Sequence, residues 1–207
     1  IVHLGPGEFS AVAPITGVYF NKSAMPIKEG DPVTASGVAP GTVFAEFGNS
    51  GVPTHFPTLA APSVVHINDA NTLLLGTQII ESGIHRNAII KVQLDASGAQ
   101  VSQTLVAKEG GPVGAGPDTW ATLSIGAHTM AMNNAGQVIF SGITSGGVNG
   151  VFLNNTFIAR QGAASPVPGN PWGSLAGAPV DINTAGAWAL RGPALGADFW
   201  NEQGDAG

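Results

Sequence analysis

Residues 130–142 read Met130-Ala131-Met132-Asn133-Asn134-Ala135-Gly136-Gln137-Val138-Ile139-Phe140-Ser141-Gly142, two short apolar-alternating runs joined by Asn-Asn-Ala-Gly. Met130 and Met132 share one face of the incoming run, and Val138 and Phe140 share one face of the outgoing run. Period-two alternation of this kind marks half-buried strands. A type I turn favours Asn at its first position and Gly at its fourth, and four-residue hairpin loops are commonly built around it. The stretch therefore predicts a β-hairpin. The same order recurs around Asn68 (V-V-H-I-N-D-A-N-T-L-L-L) and around Asn183 (A-P-V-D-I-N-T-A-G-A-W-A-L). Three residues after each Asn stands Asn71, Gly136 or Gly186, and seven after it Leu75, Phe140 or Leu190. Asn is the best substitute for Gly where φ must be positive, so a left-handed residue is expected at the third position after each Asn.

Outward from these hairpins the chain divides into units near residues 1–62, 63–126, 127–176 and 177–207, the last cut short, within one repeat domain. Ile1-Val2-His3-Leu4 is similar to Val64-Val65-His66-Ile67 and opens the first unit. Third strands are expected at residues 17–21, 88–92 and 150–154, and fourth strands at 27–33, 105–113 and 157–162. Asp95-Ala96-Ser97-Gly98 reads as another turn, and Asn154-Asn155 as a tight turn with positive φ. Residues 197–201 fit a third strand of the last unit, and residues 199–205 fit its fourth equally well. A long Gly/Pro-rich connection then ends in an aromatic tetrapeptide: Phe56-Pro57-Thr58-Leu59, Trp120-Ala121-Thr122-Leu123 or Trp172-Gly173-Ser174-Leu175. Four antiparallel strands in a unit of this size predict an all-β, propeller-like array of about four four-stranded blades. A β-sandwich or an open β-solenoid is the alternative.

Composition agrees with an all-β chain. Of 207 residues 30 are Gly and 15 Pro, only 10% are charged, and no run has helical spacing. Low charge at a mean hydropathy of +0.22 opposes disorder. A net charge of −6 with 7 Lys plus Arg opposes a nucleic-acid partner. No apolar run reaches the ~20 residues of a membrane-spanning helix. The absence of cysteine removes disulfides, thiolate metal sites and Cys nucleophiles. The chain opens on Ile1, which fits a processed or excised form.

The candidate ligand-stacking residues are Phe56, Trp120 and Trp172, at matching places in successive units. Recurrence in every unit favours the competing role, a packing residue that seals neighbouring blades. His3, His66 and Asp181 stand two residues before their turns and would meet if first strands lined a common axis. Their nitrogens and oxygens would suit Zn, Ni or Cu, yet histidines alternating away from an apolar face are more often ordinary hydrogen-bonded residues, so no metal is assigned. Asp69, Asp95 and Asn149 are explained by turn chemistry, without an EF-hand ligand series. No G-x-S-x-G elbow and no phosphate loop occurs, so no catalytic residue and no cofactor is assigned. Glu29 and Glu109 recur at matching places beside a Gly, which favours a structural role.

At residues 133–140 the chain resembles bacterial tandem-repeat proteins with an N-x-x-G-x-x-x-F repeat, and the likeness extends to its G-V-[FY] and I-A-[RK]-[EQ]-G segments. The resemblance implies propeller-like repeats on a secreted or cell-surface protein, often with a C-terminal anchor, and it supplies no catalytic residues. The expectation is a non-enzymatic extracellular module, structural or binding a protein or glycan through inter-blade loops near 31–56, 111–120 and 163–172. A polysaccharide-acting propeller hydrolase or lyase is the alternative, and so is a subunit that self-assembles through its terminal blade edge.

Overall fold

The computed structural model describes residues 17–21, 24–45, 64–126 and 128–195. Every regular element among them is a β-strand, and all strand pairs are antiparallel. The first sheet pairs β1 (Gly17–Phe20) with β2 (Ala24–Lys28). The second holds β3 (Val43–Phe44), β4 (Val64–Ile67), β5 (Thr72–Glu81), β6 (Ile84–Leu94) and β7 (Gln100–Lys108). The third holds β8 (Trp120–Leu123), β9 (Met130–Met132), β10 (Val138–Thr144), β11 (Asn149–Leu153) and β12 (Thr156–Arg160). The fourth pairs β13 (Val180–Ile182) with β14 (Trp188–Leu190).

The Asn hairpins form as the sequence predicts, in one register. Ile67, Met132 and Ile182, each just before its Asn, face Leu73, Val138 and Trp188, each five residues after it. The physical reason is the Asn itself. Its Oδ1 accepts the backbone N–H four residues on, from Thr72 at 3.0 Å, Gln137 at 3.0 Å and Ala187 at 2.9 Å. That bond folds the side chain over the turn and lets the third following residue go left-handed, with φ of 56° at Asn71, 75° at Gly136 and 85° at Gly186. Asp95 closes the β6–β7 turn in the same way, holding the N–H groups of Ser97 and Ala99. Asn154 and Asn155, with φ of 48° and 72°, make the expected tight turn between β11 and β12.

Two details differ from expectation. The fourth strands stop earlier than predicted, at Lys28, Lys108 and Arg160. Each chain turns two residues on, at Gly30, Gly110 and Gly162, where φ is near +80° and no Cβ is tolerated without strain. Secondly, the aromatic segments are strands or bridges of the sheet that follows, giving the two middle sheets five strands each. Phe44 faces Ile79, Trp120 faces Thr144 and Trp172 faces Ala194, each partner eleven residues beyond its Asn. Each aromatic residue's carbonyl accepts from the turn glycine, Gly30, Gly110 or Gly162, and its N–H donates to the next carbonyl. The loops near 31–44, 111–120 and 163–172 are thereby closed at their base by backbone bonds. Phe44 therefore holds the place of Trp120 and Trp172 in the second sheet, while Phe56 lies outside the described residues.

The sheets stack face to face over three cores. Leu73, Leu75, Ile79, Ile90 and Val92 point toward the first sheet, while Leu74, Ile89 and Ala107 on the opposite face meet Val138, Phe140 and Phe152 of the third. Ala131, Ile139 and Val151 on the far side of the third sheet meet Val180 and Ile182 of the fourth. The two middle sheets are thus buried on both faces, which is why β5 and β10 read as nearly continuous apolar runs. None of the sheets is closed. The fold at this level is an all-β stack of open antiparallel sheets, an arrangement also compatible with a β-sandwich.

Candidate functional site

The second and third sheets share a register but differ most in one hairpin. Lys91 lies opposite Leu74 and Thr104, and Leu153 lies opposite Ile139 and Thr156. Leu74 and Ile139 are each six residues past their Asn, so residues 92–103 stand where the third sheet has only the Asn154-Asn155 turn. The longer hairpin projects beyond the third sheet. Its chemistry changes with its cover: Leu74 and Ile89 are buried against the third sheet, and beyond them follow Thr72, Lys91, Gln93 and, on β7, Thr104 and Ser102.

These side chains and the turn at Asn134, Ala135 and Gly136 enclose a groove of about 310 Å³. Internal hydrogen bonds fix most of its wall. Gln93 Nε2 donates to the carbonyls of Ala70 (2.8 Å) and Leu94 (3.0 Å), and its Oε1 accepts from the Thr72 hydroxyl at 2.9 Å. The Asn68 amide donates to the Asn133 carbonyl at 3.1 Å, tying the two turns together. Asn134 accepts from the Asp69 N–H at 3.1 Å and donates to the Asp69 carboxylate. Lys91 Nζ donates to the Gly136 carbonyl at 3.2 Å, which leaves two of its three protons unused. Among the described residues the hydroxyls of Ser102 and Thr104 have no partner, and Lys91 has no carboxylate in salt-bridge range. Among the described residues no carboxylate and no aromatic ring lines the groove.

Of the stacking residues predicted from sequence, Trp120 and Trp172 lie elsewhere. Trp120 is 2% exposed, with Phe152 edge-on at 4.4 Å and Phe140 at 5.3 Å, so its indole presents no face to solvent. Trp172 is half-buried against the core between the third and fourth sheets. The two tryptophans occupy different cores and do not form one surface.

Asp181 lies near enough to His66 to act on its charge. Burial holds the His66 imidazole below its ordinary pKa, against the attraction of Asp181, and His128 lowers it further. A hydrogen bond to the Met130 backbone works the other way, and Nε2 is buried without a partner. His3 lies outside the described residues. Among the described residues no group of three or more His, Asp or Glu side chains is placed to hold a metal ion, and no helix is long and apolar enough to cross a membrane.

Glu81 and Glu109 have structural roles. Glu81, buried at the end of β5, pairs with Lys108 and with Arg86 at 3.2 Å and accepts the Ala39 N–H at 2.8 Å. Burial acts to raise its pKa, but these partners outweigh it and the carboxyl sits below its ordinary value. Glu109 holds the N–H groups of Asn87 (3.0 Å) and Leu123 (3.3 Å), joining the second sheet to β8.

No family model, curated protein or solved structure matches this chain. The class that fold and site define is an all-β protein of stacked antiparallel sheets carrying a polar groove between two of them.

Proposed function

We propose that this chain is a non-enzymatic repeat scaffold, displayed outside a bacterial cell, that binds a protein or glycan partner in the groove beneath the β6–β7 hairpin. Its units are those of a propeller-like array, as the N-x-x-G-x-x-x-F resemblance implies. The observation that carries the reading is the division between shared and unshared residues. Residues common to the units, such as Asn68, Asn133 and Asn183 or Trp120 and Trp172, serve backbone turns and inter-sheet cores. The hairpin at residues 92–103 is the largest departure between the two five-stranded sheets, and its groove holds donors with no partner among the described residues. A polysaccharide-cleaving mechanism would ask for two carboxylates facing one cavity, and among the described residues the groove wall offers none.

The test replaces residues 92–103 with the Asn-Asn turn of the third sheet and compares it with the parent chain on glycan and peptide arrays. The expected result is capture by the parent and loss of capture by the variant, with the far-UV circular dichroism of both alike. Equal capture by both would refute the reading, and so would a parent that captures nothing.

A further inference from the structure

We propose that the groove takes a carboxylate carried on a hydroxylated small molecule, the chemistry of a uronic acid or of an acidic saccharide end; this rests on the groove being the binding site. The chain has only 7 Lys plus Arg against 13 Asp plus Glu. Among the described residues Arg86 and Lys108 pair with Glu81, while Lys91, like Lys28, Arg160 and Arg191, has no salt bridge, and of these cations Lys91 is the one that lines the groove. Lys91 instead points along the groove to a neutral acceptor, the Gly136 carbonyl. Its unused protons are available to an anion, and a charged donor binds a carboxylate through bonds roughly twice as strong as neutral ones.

The free hydroxyls lie beside it. Thr104 is the register partner of Lys91, and Ser102 is the partner of Gln93 two residues further along. Lys91 and Thr104 therefore form a side-by-side donor pair for the two oxygens of one carboxylate, and Ser102 extends the row toward neighbouring hydroxyls of the same ligand. The remaining wall is preorganised. Gln93, Thr72 and Asn134 are held by internal bonds and present fixed polar edges, which limits the ordering cost on binding. The described wall holds no aromatic ring and therefore no stacking platform, so its recognition is by hydrogen bonds and charge. A volume of about 310 Å³ is at the small end for ligand pockets and suits a single sugar ring in place.

The experiment follows backbone amide shifts of the 15N-labelled chain during titration with D-glucuronate, D-glucose and acetate, at low and high salt. Glucuronate is expected to move the amides of Lys91, Ser102, Thr104 and Gly136, with glucose and acetate each at least about tenfold weaker, a difference of about 1.4 kcal/mol. Higher salt should weaken it, as for any solvent-reachable charge pair. Lys91→Met should lower glucuronate affinity about tenfold and Lys91→Arg should retain most of it. Ser102→Ala, which breaks no internal bond, keeps the test open if the lysine variant is unstable, and should lower affinity severalfold. Glucose binding as well as glucuronate would overturn the acidic ligand while leaving the groove as the site. Acetate binding equally well would reduce it to a simple anion contact and overturn the saccharide. A groove silent to all three, on a chain whose parent still captures array ligands through residues 92–103, would overturn the inference alone; silence in both experiments would overturn the groove itself.

Discussion

Removing the Trp120 indole tests the account of the aromatic positions. Trp120 is 2% exposed, its ring is covered by Phe140 and Phe152, and a Cβ on Gly142 would come within 2.8 Å of it. Nothing nearby is mobile enough to fill its space cheaply, since Phe140, Phe152 and Leu123 are themselves fully buried strand residues. Trp120→Ala is therefore expected to cost about 3–5 kcal/mol, the usual range for a buried Trp lost to a cavity. For a chain of this size that lowers the melting temperature by roughly 6–20 °C. Trp120→Phe should be much milder. Phe44 fills the matching place in the second sheet, and the buried Trp120 Nε1 has no hydrogen-bond partner to lose. Deleting that unpaired donor offsets part of the lost area, so a cost of about 1 kcal/mol is expected. Urea unfolding followed by far-UV circular dichroism measures both. If Trp120→Phe is as damaging as Trp120→Ala, or if Trp120→Ala costs under about 1 kcal/mol, the claim that this residue seals two sheets is wrong.

Three further outcomes follow from named groups. Gly136 has φ of 75°, and its equivalent Asn71 adopts 56°. Gly136→Asn should thus be close to neutral and Gly136→Val should cost about 1–2 kcal/mol, read by thermal unfolding. Glu81 has a carboxyl depressed below its ordinary value of 4.5, burial being outweighed by Lys108, the Ala39 N–H and Arg86. Its contribution is whole above that pH and is lost as pH falls through the lower folded value; Glu81→Ala should cost about 3 kcal/mol at neutral pH and remove that acid-range slope in a stability-versus-pH series. His66 has its pKa depressed below 6.5 chiefly by burial, so the folded chain resists a proton that the unfolded chain accepts. Stability should decline as pH falls below 6.5 toward the folded value, and His66→Gln should flatten that decline in the same series.

The local features were readable because their causes are local. An Asn whose own side chain closes a turn, a left-handed residue three places on and alternation on both sides are all carried within a dozen residues. This is why the hairpins at Asn68, Asn133 and Asn183 stand where the sequence puts them. The aromatic segments were harder. Trp120 pairs with Thr144 across an intervening strand, and only the register of β10 shows that it joins the following sheet. A tetrapeptide pattern selects Phe56-Pro57-Thr58-Leu59, whereas the residue bonded to the turn glycine is Phe44. The order of turn glycine, short loop and aromatic residue was the usable signal, since Gly30, Gly110 and Gly162 each bond the aromatic that closes their loop. The groove was legible only as a spacing, 65 residues from Asn68 to Asn133 against 50 from Asn133 to Asn183. Which side chains line it depends on strand register and on where the third sheet stops covering the second, and neither is written in a single stretch.

The most direct test of the stacked, repeated architecture is a set of cross-strand nuclear Overhauser contacts in the labelled chain. Phe44 to Ile79, Trp120 to Thr144 and Trp172 to Ala194 should all appear, together with contacts between Gly76 and the Met130 side chain across the second core. Finding the hairpin contacts at Asn68, Asn133 and Asn183 without these aromatic pairings, or without any contact between Gly76 and Met130, would contradict it.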